Sequence, residues 1–180
     1  METEQQLLEA IHKGDRQAMH RLYDRFSGYI MATALRYIPD REAAKDVVQD
    51  SFVSILTSIH RFEYRGEGSL RAWITRIVSN QSINWVKKHE LYTFTDEMPQ
   101  VADEELPDIE GVPPDVLNGM ISHLPAGYRL VLNLYVFEQL SHKEIALRLG
   151  IKESSSASQF YHAKRLLAEM ITKYLNSRKI

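Results

Sequence analysis

Residues Ser141 to Arg165 read Ser-His-Lys-Glu-Ile-Ala-Leu-Arg-Leu-Gly-Ile-Lys-Glu-Ser-Ser-Ser-Ala-Ser-Gln-Phe-Tyr-His-Ala-Lys-Arg. Their spacing describes a helix, a tight turn and a second helix. Ser141 and Glu144 stand three apart, as in a capping box where each side chain satisfies a backbone donor of the other. Ile145, Ala146 and Leu149 form a short apolar face. Gly150 supplies the positive φ that a residue just past a helix end often needs, and Ile151 can tuck under the turn. Phe160, Ala163, Leu167 and Met170 or Ile171 then share one face of a second helix. This is the pattern of a helix-turn-helix, whose second helix enters the DNA major groove. An ordinary helical hairpin has the same outline.

Outward from this stretch, the 180-residue chain is long enough for one or two small domains. It has no cysteine, which excludes a disulfide framework and a cysteine-based zinc site. The apolar run from Leu130 to Phe137 is interrupted by Asn133 and is too short to span a bilayer. The polar, acidic start Met1-Glu-Thr-Glu-Gln-Gln does not resemble a secretory signal. A protein of the bacterial cytoplasm, without membrane insertion, is the expectation. The net charge of −2 hides an uneven distribution. Residues 1–90 carry 13 Lys+Arg and 12 Asp+Glu, residues 91–123 carry 0 and 8, and residues 124–180 carry 9 and 4, giving +1, −8 and +5. A basic block behind an acidic segment points to a nucleic-acid partner for the former and a linker for the latter.

Read in order, Leu7, Leu8 and Ile11 predict a short helix stopped at Gly14. Asp15 caps a second helix carrying Ala18, Met19, Leu22, Tyr23 and Phe26. Ile30, Met31, Ala34, Leu35 and Ile38 predict a third, closed by Pro39. Asp40 opens the longest regular pattern, with Ala44, Val47, Val48, Ser51, Phe52, Ile55, Leu56 and Ile59 on the core face. On its other side Asp46, Gln49, Asp50 and Val53 form a second stripe, either a solvated face or a binding surface for a basic partner. After the loop Arg61–Gly68, Ser69 caps a helix through Lys88. Leu70, Ile74, Ile77, Val78, Gln81 and Trp85 fall on its core side, and Trp73, Arg76, Asn80, Ile83, Asn84 and Lys87 on the other. An aromatic and amides interleaved with cations suit a single-stranded nucleic acid, the ring stacking on a base and the cations holding phosphates. Packing of Trp73 against the preceding helix is the competing reading.

From Leu91 to Val112 no period persists, and the acidic, proline-punctuated composition predicts an extended or disordered linker. Pro114 can start a helix with Val116, Leu117, Met120 and Ile121, Leu124-Pro125 breaks it, and Tyr128 to Phe137 forms the next. The expectation is an all-α protein of two helical domains, an N-terminal helical bundle (1–90) and a C-terminal helix-turn-helix domain (113–180), joined by a flexible acidic linker (91–112). No enzymatic chemistry is expected: there is no glycine-rich phosphate loop, and the seven histidines lack metal-ligand spacing. No cofactor, metal or catalytic residue is assigned.

Asp46-Val-Val-Gln-Asp50-Ser-Phe52, the run Tyr64-Arg-Gly-Glu-Gly-Ser-Leu-Arg-Ala-Trp-Ile-Thr-Arg-Ile-Val-Ser-Asn80, Leu124-Pro-Ala-Gly-Tyr-Arg and Ser141 to Ile151 together resemble bacterial RNA polymerase sigma factors of the extracytoplasmic-function (ECF) group, in the sigma-70 family. Order and spacing match from about Gly14 to Leu167. The resemblance implies core RNA polymerase and promoter DNA as partners, the DNA both double-stranded and as the melted non-template strand, and an anti-sigma factor as a further partner. It implies that Asp46, Gln49, Asp50 and Val53 meet the polymerase clamp. Arg65, Ser69, Arg71, Trp73, Arg76, Asn80, Asn84, Lys87 and Lys88 are implied to melt and bind the minus-ten element. Lys152, Ser154, Ser155, Ser158, Gln159, Tyr161, His162 and Arg165 are implied to read the minus-thirty-five element, and the linker to thread the polymerase cleft.

The chain departs from the family pattern at Asn84, where an acidic residue is common, and at Ser154-Ser155, where Gly-Thr is common. Basic residues often stand where this chain has Ala157, Gln159 and His162. On the helical wheel Ser154, Ser155, Ser158, Tyr161, His162 and Arg165 point outward, and only Arg165 among them is a permanent cation, with Lys152, Lys164 and Arg148 flanking. A stand-alone helix-turn-helix regulator is the alternative function, but it leaves the Asp46–Asp50 stripe and the 62–88 surface without purpose. Such regulators usually dimerise on paired half-sites, and no dimerisation segment is evident after Ile171. Duplex binding leans on phosphate neutralisation, so the isolated 112–180 fragment is expected to bind random duplex more weakly than about 1 µM at physiological salt, with tethering to polymerase raising its effective concentration. Fluorescence anisotropy checks this, and a submicromolar Kd contradicts it.

Overall fold

The computed structural model describes residues 2–90, 94, 107 and 109–178. The acidic residues Asp96, Glu97, Asp103, Glu104, Glu105 and Asp108 of the expected linker lie outside them. Among the described residues every regular element is helical, and the chain divides into two compact units, Met1–Lys88 and His89–Ile180.

In the first unit, α1 (Glu4–His12) opens on a capping box between Thr3 and Gln6 and buries Leu7, Leu8 and Ile11. Gly14, at φ +81°, turns the chain. Asp15 accepts from the Gln17 amide at 2.9 Å and starts α2 (Arg16–Tyr37). The sequence predicts two helices here, whereas the structure has one of 22 residues running through Gly28. Leu22, Phe26, Ile30 and Ala34 form an unbroken i, i+4 row, all buried. Burial along that row outweighs the roughly 1 kcal/mol that a glycine costs a helix. Ile38 leaves helical geometry before Pro39, whose ring excludes it.

Asp40 caps α3 (Arg41–Ser58) by accepting from the Ala43 amide at 2.7 Å. The expected core face is buried from Ala44 to Ile55, and Ile59 is buried in a following 3₁₀ turn, Ile59–Arg61. Leu56 is the correction, because it is 39% exposed and belongs to the outer stripe. The fourth helix, α4 (Ser69–His89), is joined to α2 by a Tyr29–Thr75 hydroxyl bond of 2.7 Å and to α3 by Gln81 donating to Ser54 at 3.2 Å. Its core row is Leu70, Ile74, Val78, Ser82 and Val86. An i, i+4 row drifts around the helix. The second half of α4 therefore buries Ser79, Ser82 and Ile83, whereas the wheel placed Ile83 outward and Gln81 and Trp85, both half-buried, inward.

In the second unit, α5 (Pro114–Ser122) begins on proline, whose missing amide costs nothing at that position. The expected helix 128–137 is instead α6 (Ala126–Leu132) followed by a π-helical turn, Asn133–Phe137, that leaves Tyr135, Val136 and Phe137 exposed. The capping box of α7 (His142–Leu149) forms as expected: Ser141 Oγ accepts from the Glu144 amide at 3.2 Å, and the Ser141 amide donates to Glu144 at 2.8 Å. The Ser141 amide and hydroxyl, both donating to the Glu144 carboxylate, hold it below its ordinary range. Gly150 is left-handed at φ +71°, and the amides of Gly150 and Ile151 both donate to Ala146 O. The long α8 (Glu153–Ser177) packs Ala163, Leu167 and Met170 against Ile121, Leu124 and Leu132. Arg129, almost wholly buried, donates to both Glu90 oxygens at 2.7 Å and to Leu124 O at 2.9 Å.

The α7–α8 corner carries a titratable contact. His142 bonds Ser156 Oγ through Nδ1 at 2.9 Å and stacks on Tyr135 at 4.7 Å. Burial pushes its ring below the ordinary value of 6.5, with Glu153 opposing. The unfolded chain therefore takes up this proton more readily than the folded one. Stability from this contact is whole above pH 6.5 and declines as pH falls through the folded value. His142→Gln is expected to remove that part of the pH slope, read as urea midpoints on either side of pH 6.5. Gly150→Ala is expected to cost about 1–2 kcal/mol in the same unfolding experiment, because an added Cβ strains the left-handed backbone.

Candidate nucleic-acid and polymerase interfaces

The loop before α4 is shaped by Gly66 and Gly68, at φ +113° and +89°. Ser69 Oγ donates to Gly66 O at 2.6 Å and accepts from the Arg65 amide at 3.2 Å, so its hydroxyl closes the loop. The sequence assigns Ser69 as the cap of α4; in the structure it is the first helical residue, and the cap comes from α1. The Glu4 carboxylate, 3% exposed, accepts from the amides of Gly68 at 2.9 Å, Leu70 at 3.1 Å and Arg71 at 3.3 Å. No local signal could have revealed a cap more than 60 residues away.

Beside this capped end lies an open cleft of about 560 Å³, lined by Arg61, Phe62, Arg65, Ser69, Trp73 and Arg76 among others. Trp73 leans on Phe62, the residue just past the 3₁₀ turn, with ring centroids 5.1 Å apart, and stays half-exposed. Paired rings with guanidinium groups around them suit a planar base attached to phosphates. Among the residues expected to meet the minus-ten element, Arg65, Ser69, Trp73 and Arg76 converge here. Asn80, Asn84, Lys87 and Lys88 are exposed further along α4, outside the cleft lining. Arg71 is also outside it, its guanidinium lying over the Tyr29 ring at 4.2 Å. Arg61 and Phe62 were missed; an Arg-Phe pair ahead of a glycine loop was the available signal.

On α3, Asp46, Gln49, Asp50 and Val53 are all exposed, Val53 at 62%. Leu56 extends the stripe, which is thus acidic at one end and apolar at the other. A surface of this composition suits a partner offering both cations and an apolar contact.

At the helix-turn-helix, Lys152, Ser154 and Arg165 are exposed, and Tyr161 and His162 half-exposed. The outward placement of Ser155 and Ser158 is corrected: both are buried, as is Gln159. The wheel equated burial with apolarity, but α8 packs against both α6 and α7, and small hydroxyl side chains bury readily where helices pack closely. His162 stacks on Tyr128 at 5.5 Å, and Arg165 pairs with Glu169 at 3.3 Å. Among the described residues no group of three or more His, Asp or Glu could hold a metal, and no helix is long and apolar enough to cross a membrane.

Comparison with known proteins places this geometry. The model of sigma-70 region 2 matches residues 22–91, and that of sigma-70 region 4 matches residues 115–167. The chain is 24% identical to the ECF RNA polymerase sigma factor SigM of Bacillus subtilis, over 86% of this chain and 96% of SigM. It is 27% identical to the RNA polymerase sigma-H factor of Pseudomonas aeruginosa, over 92% of each chain, and 28% identical to the sigma factor YlaC of Bacillus subtilis, over 92% of this chain and 98% of YlaC. Among solved structures, CnrH in complex with the cytosolic domain of CnrY shares the fold, with a TM-score of 0.50 and 23% identity over 93% of this chain and 96% of CnrH. Two family regions in the right order together span more than half of the chain, and the relatives match 86–92% of it: the chain belongs to the sigma-70 family of RNA polymerase sigma factors, in its ECF group.

Proposed function

We propose that this chain joins core RNA polymerase through α3 and opens promoters through the cleft at the head of α4, contributing specificity and no bond chemistry of its own. The observation that carries the reading is the Phe62–Trp73 pair set among Arg61, Arg65 and Arg76, within the stretch matching sigma-70 region 2. A base leaving the duplex loses a few kcal/mol of stacking and pairing. An aromatic platform returns about 1–3 kcal/mol of that, and the guanidinium groups hold the strand's phosphates. Asn80, Asn84, Lys87 and Lys88 continue the track along α4, while Arg71 and Ser69 shape the loop and helix start rather than touch a base.

Residues 1–90 form the polymerase-binding and melting domain, 113–180 the domain that reads the minus-thirty-five element, and 91–112 an acidic linker. At the second site Lys152, Ser154, Tyr161, His162 and Arg165 are the residues with exposed surface for DNA, whereas Ser155, Ser158 and Gln159 lie on the buried side of α8. The protein works in the bacterial cytoplasm. CnrH is solved in complex with the cytosolic domain of CnrY, and an anti-sigma factor is the further protein partner proposed for this chain.

Pull-down with core polymerase and run-off transcription test the proposal together. Asp46→Lys with Asp50→Lys is expected to weaken polymerase binding by about tenfold or more, since each like-charge contact costs on the order of 1 kcal/mol. Trp73→Ala is expected to leave polymerase binding unchanged and to lower promoter opening by about fivefold to a hundredfold, the worth of one stacked base. Unaltered polymerase affinity in the double variant removes α3 from the interface, and unaltered opening in Trp73→Ala removes the cleft.

A further inference from the structure

We infer that Glu4 is a positioning residue for promoter opening: from α1, which lies outside the matched region 2, it caps α4 and thereby sets the loop and helix end that receive the melted strand. The inference rests on the proposed function of the α4 cleft. Helix starts leave backbone amides without partners, and a serine, threonine or aspartate at the start usually supplies the acceptor. Here Ser69 Oγ is committed to Gly66 O and the Arg65 amide, so the amides of Leu70 and Arg71 take their acceptor from Glu4. One carboxylate thus fixes three consecutive features: the amide of the loop glycine Gly68, the first turn of α4 at Leu70, and Arg71.

The carboxylate is itself held rigidly. Leu7, Leu8 and Ile11 anchor α1 in the core of the first unit. Just upstream, the Glu2 carbonyl accepts from Arg25 at 2.9 Å, and Arg25 also reaches Glu67 of the loop at 3.5 Å. Two routes, one through Glu4 and one through Arg25, therefore tie the N-terminal segment to the loop 64–69. Arg65, Ser69 and Trp73 lie at or within one turn of the capped end, so a shift there moves the cleft lining directly. The arrangement also decides how DNA is held. A free helix start attracts phosphate, but this one already faces a carboxylate, so strand phosphates go to the arginines instead.

The test uses the full chain, alone and with core polymerase, comparing Glu4→Ala, Glu4→Gln and the exposed neighbour variant Gln5→Ala. In the free chain, Glu4→Ala is expected to speed hydrogen exchange at the Gly68, Leu70 and Arg71 amides, while exchange along α2 and α3 is unchanged. In the holoenzyme it is expected to leave polymerase affinity within about twofold and to slow opening by about tenfold, the scale of losing a helix cap. Opening is read as 2-aminopurine fluorescence on a promoter mapped from wild-type start sites. Glu4→Gln, which keeps one acceptor oxygen, falls between; it also carries the test if the alanine variant fails to fold. Gln5→Ala behaves as wild type. Equal losses of polymerase binding and opening, or opening at the wild-type rate despite faster exchange at the three amides, overturn the positioning role. A wild-type holoenzyme that opens no promoter overturns instead the function on which the role rests, with the amide exchange still reporting the cap.

Discussion

A helix begins with backbone amides that have no partner inside the helix, and a buried start without an acceptor is costly. In the first unit each helix meets this constraint. Thr3, Asp15 and Asp40 accept locally at the starts of α1, α2 and α3. The start of α4 is different, because its acceptor is the Glu4 carboxylate brought in by α1. In the second unit α7 has a local capping box, α5 and α6 begin after prolines, and α8 starts after Lys152 without a side-chain cap. The start that is capped from another helix falls at the helix that lines the aromatic cleft. A remote cap makes the geometry of that end a property of the packed unit, whereas a local cap travels with its own helix.

The surfaces of the molecule differ in kind as well as place. The α3 stripe is acidic and apolar, with Asp46 and Asp50 near one end and Val53 and Leu56 near the other. The α4 cleft is aromatic and predominantly cationic, with Glu63 in its lining paired to Arg65 at 3.6 Å. Of the residues assigned on α8, Ser154 and Arg165 are exposed and Tyr161 and His162 half-exposed, and the Arg165 guanidinium pairs with the Glu169 carboxylate at 3.3 Å. Cations attract the strand regardless of sequence, while hydroxyls and rings read it only at close range. The two surfaces thus differ in charge density: three guanidinium groups line the α4 cleft, whereas Arg165 is the one guanidinium among the residues assigned on α8.

Much of this was legible before any coordinates. Ser141, Glu144 and Gly150 act locally, through neighbours three or four residues away, so pattern alone placed the capping box and the left-handed turn. The exposure of Asp46, Gln49, Asp50 and Val53 followed from the same periodicity. Less legible were the features that depend on what packs alongside. One long α2 replaced two helices because its buried row continues through Gly28. The inner face of α4 drifted to Ile83 because an i, i+4 row winds around the helix. Leu56 proved exposed although it is apolar, and Ser155, Ser158 and Gln159 proved buried although they are polar.

By itself the sequence determined the all-helical class and the helix starts at Asp15, Asp40 and Ser141, which rest on side chains acting within one turn, and the family, which rests on four motifs in order. Only the tertiary structure decided which residues gather at the cleft, adding Arg61 and Phe62 and leaving Arg71 over Tyr29. It alone brought Glu4 to the amides of Gly68, Leu70 and Arg71. The physical reason is range. A backbone amide donates to whichever carboxylate folding delivers within about 3 Å, and sequence spacing carries no record of a partner that arrives by packing.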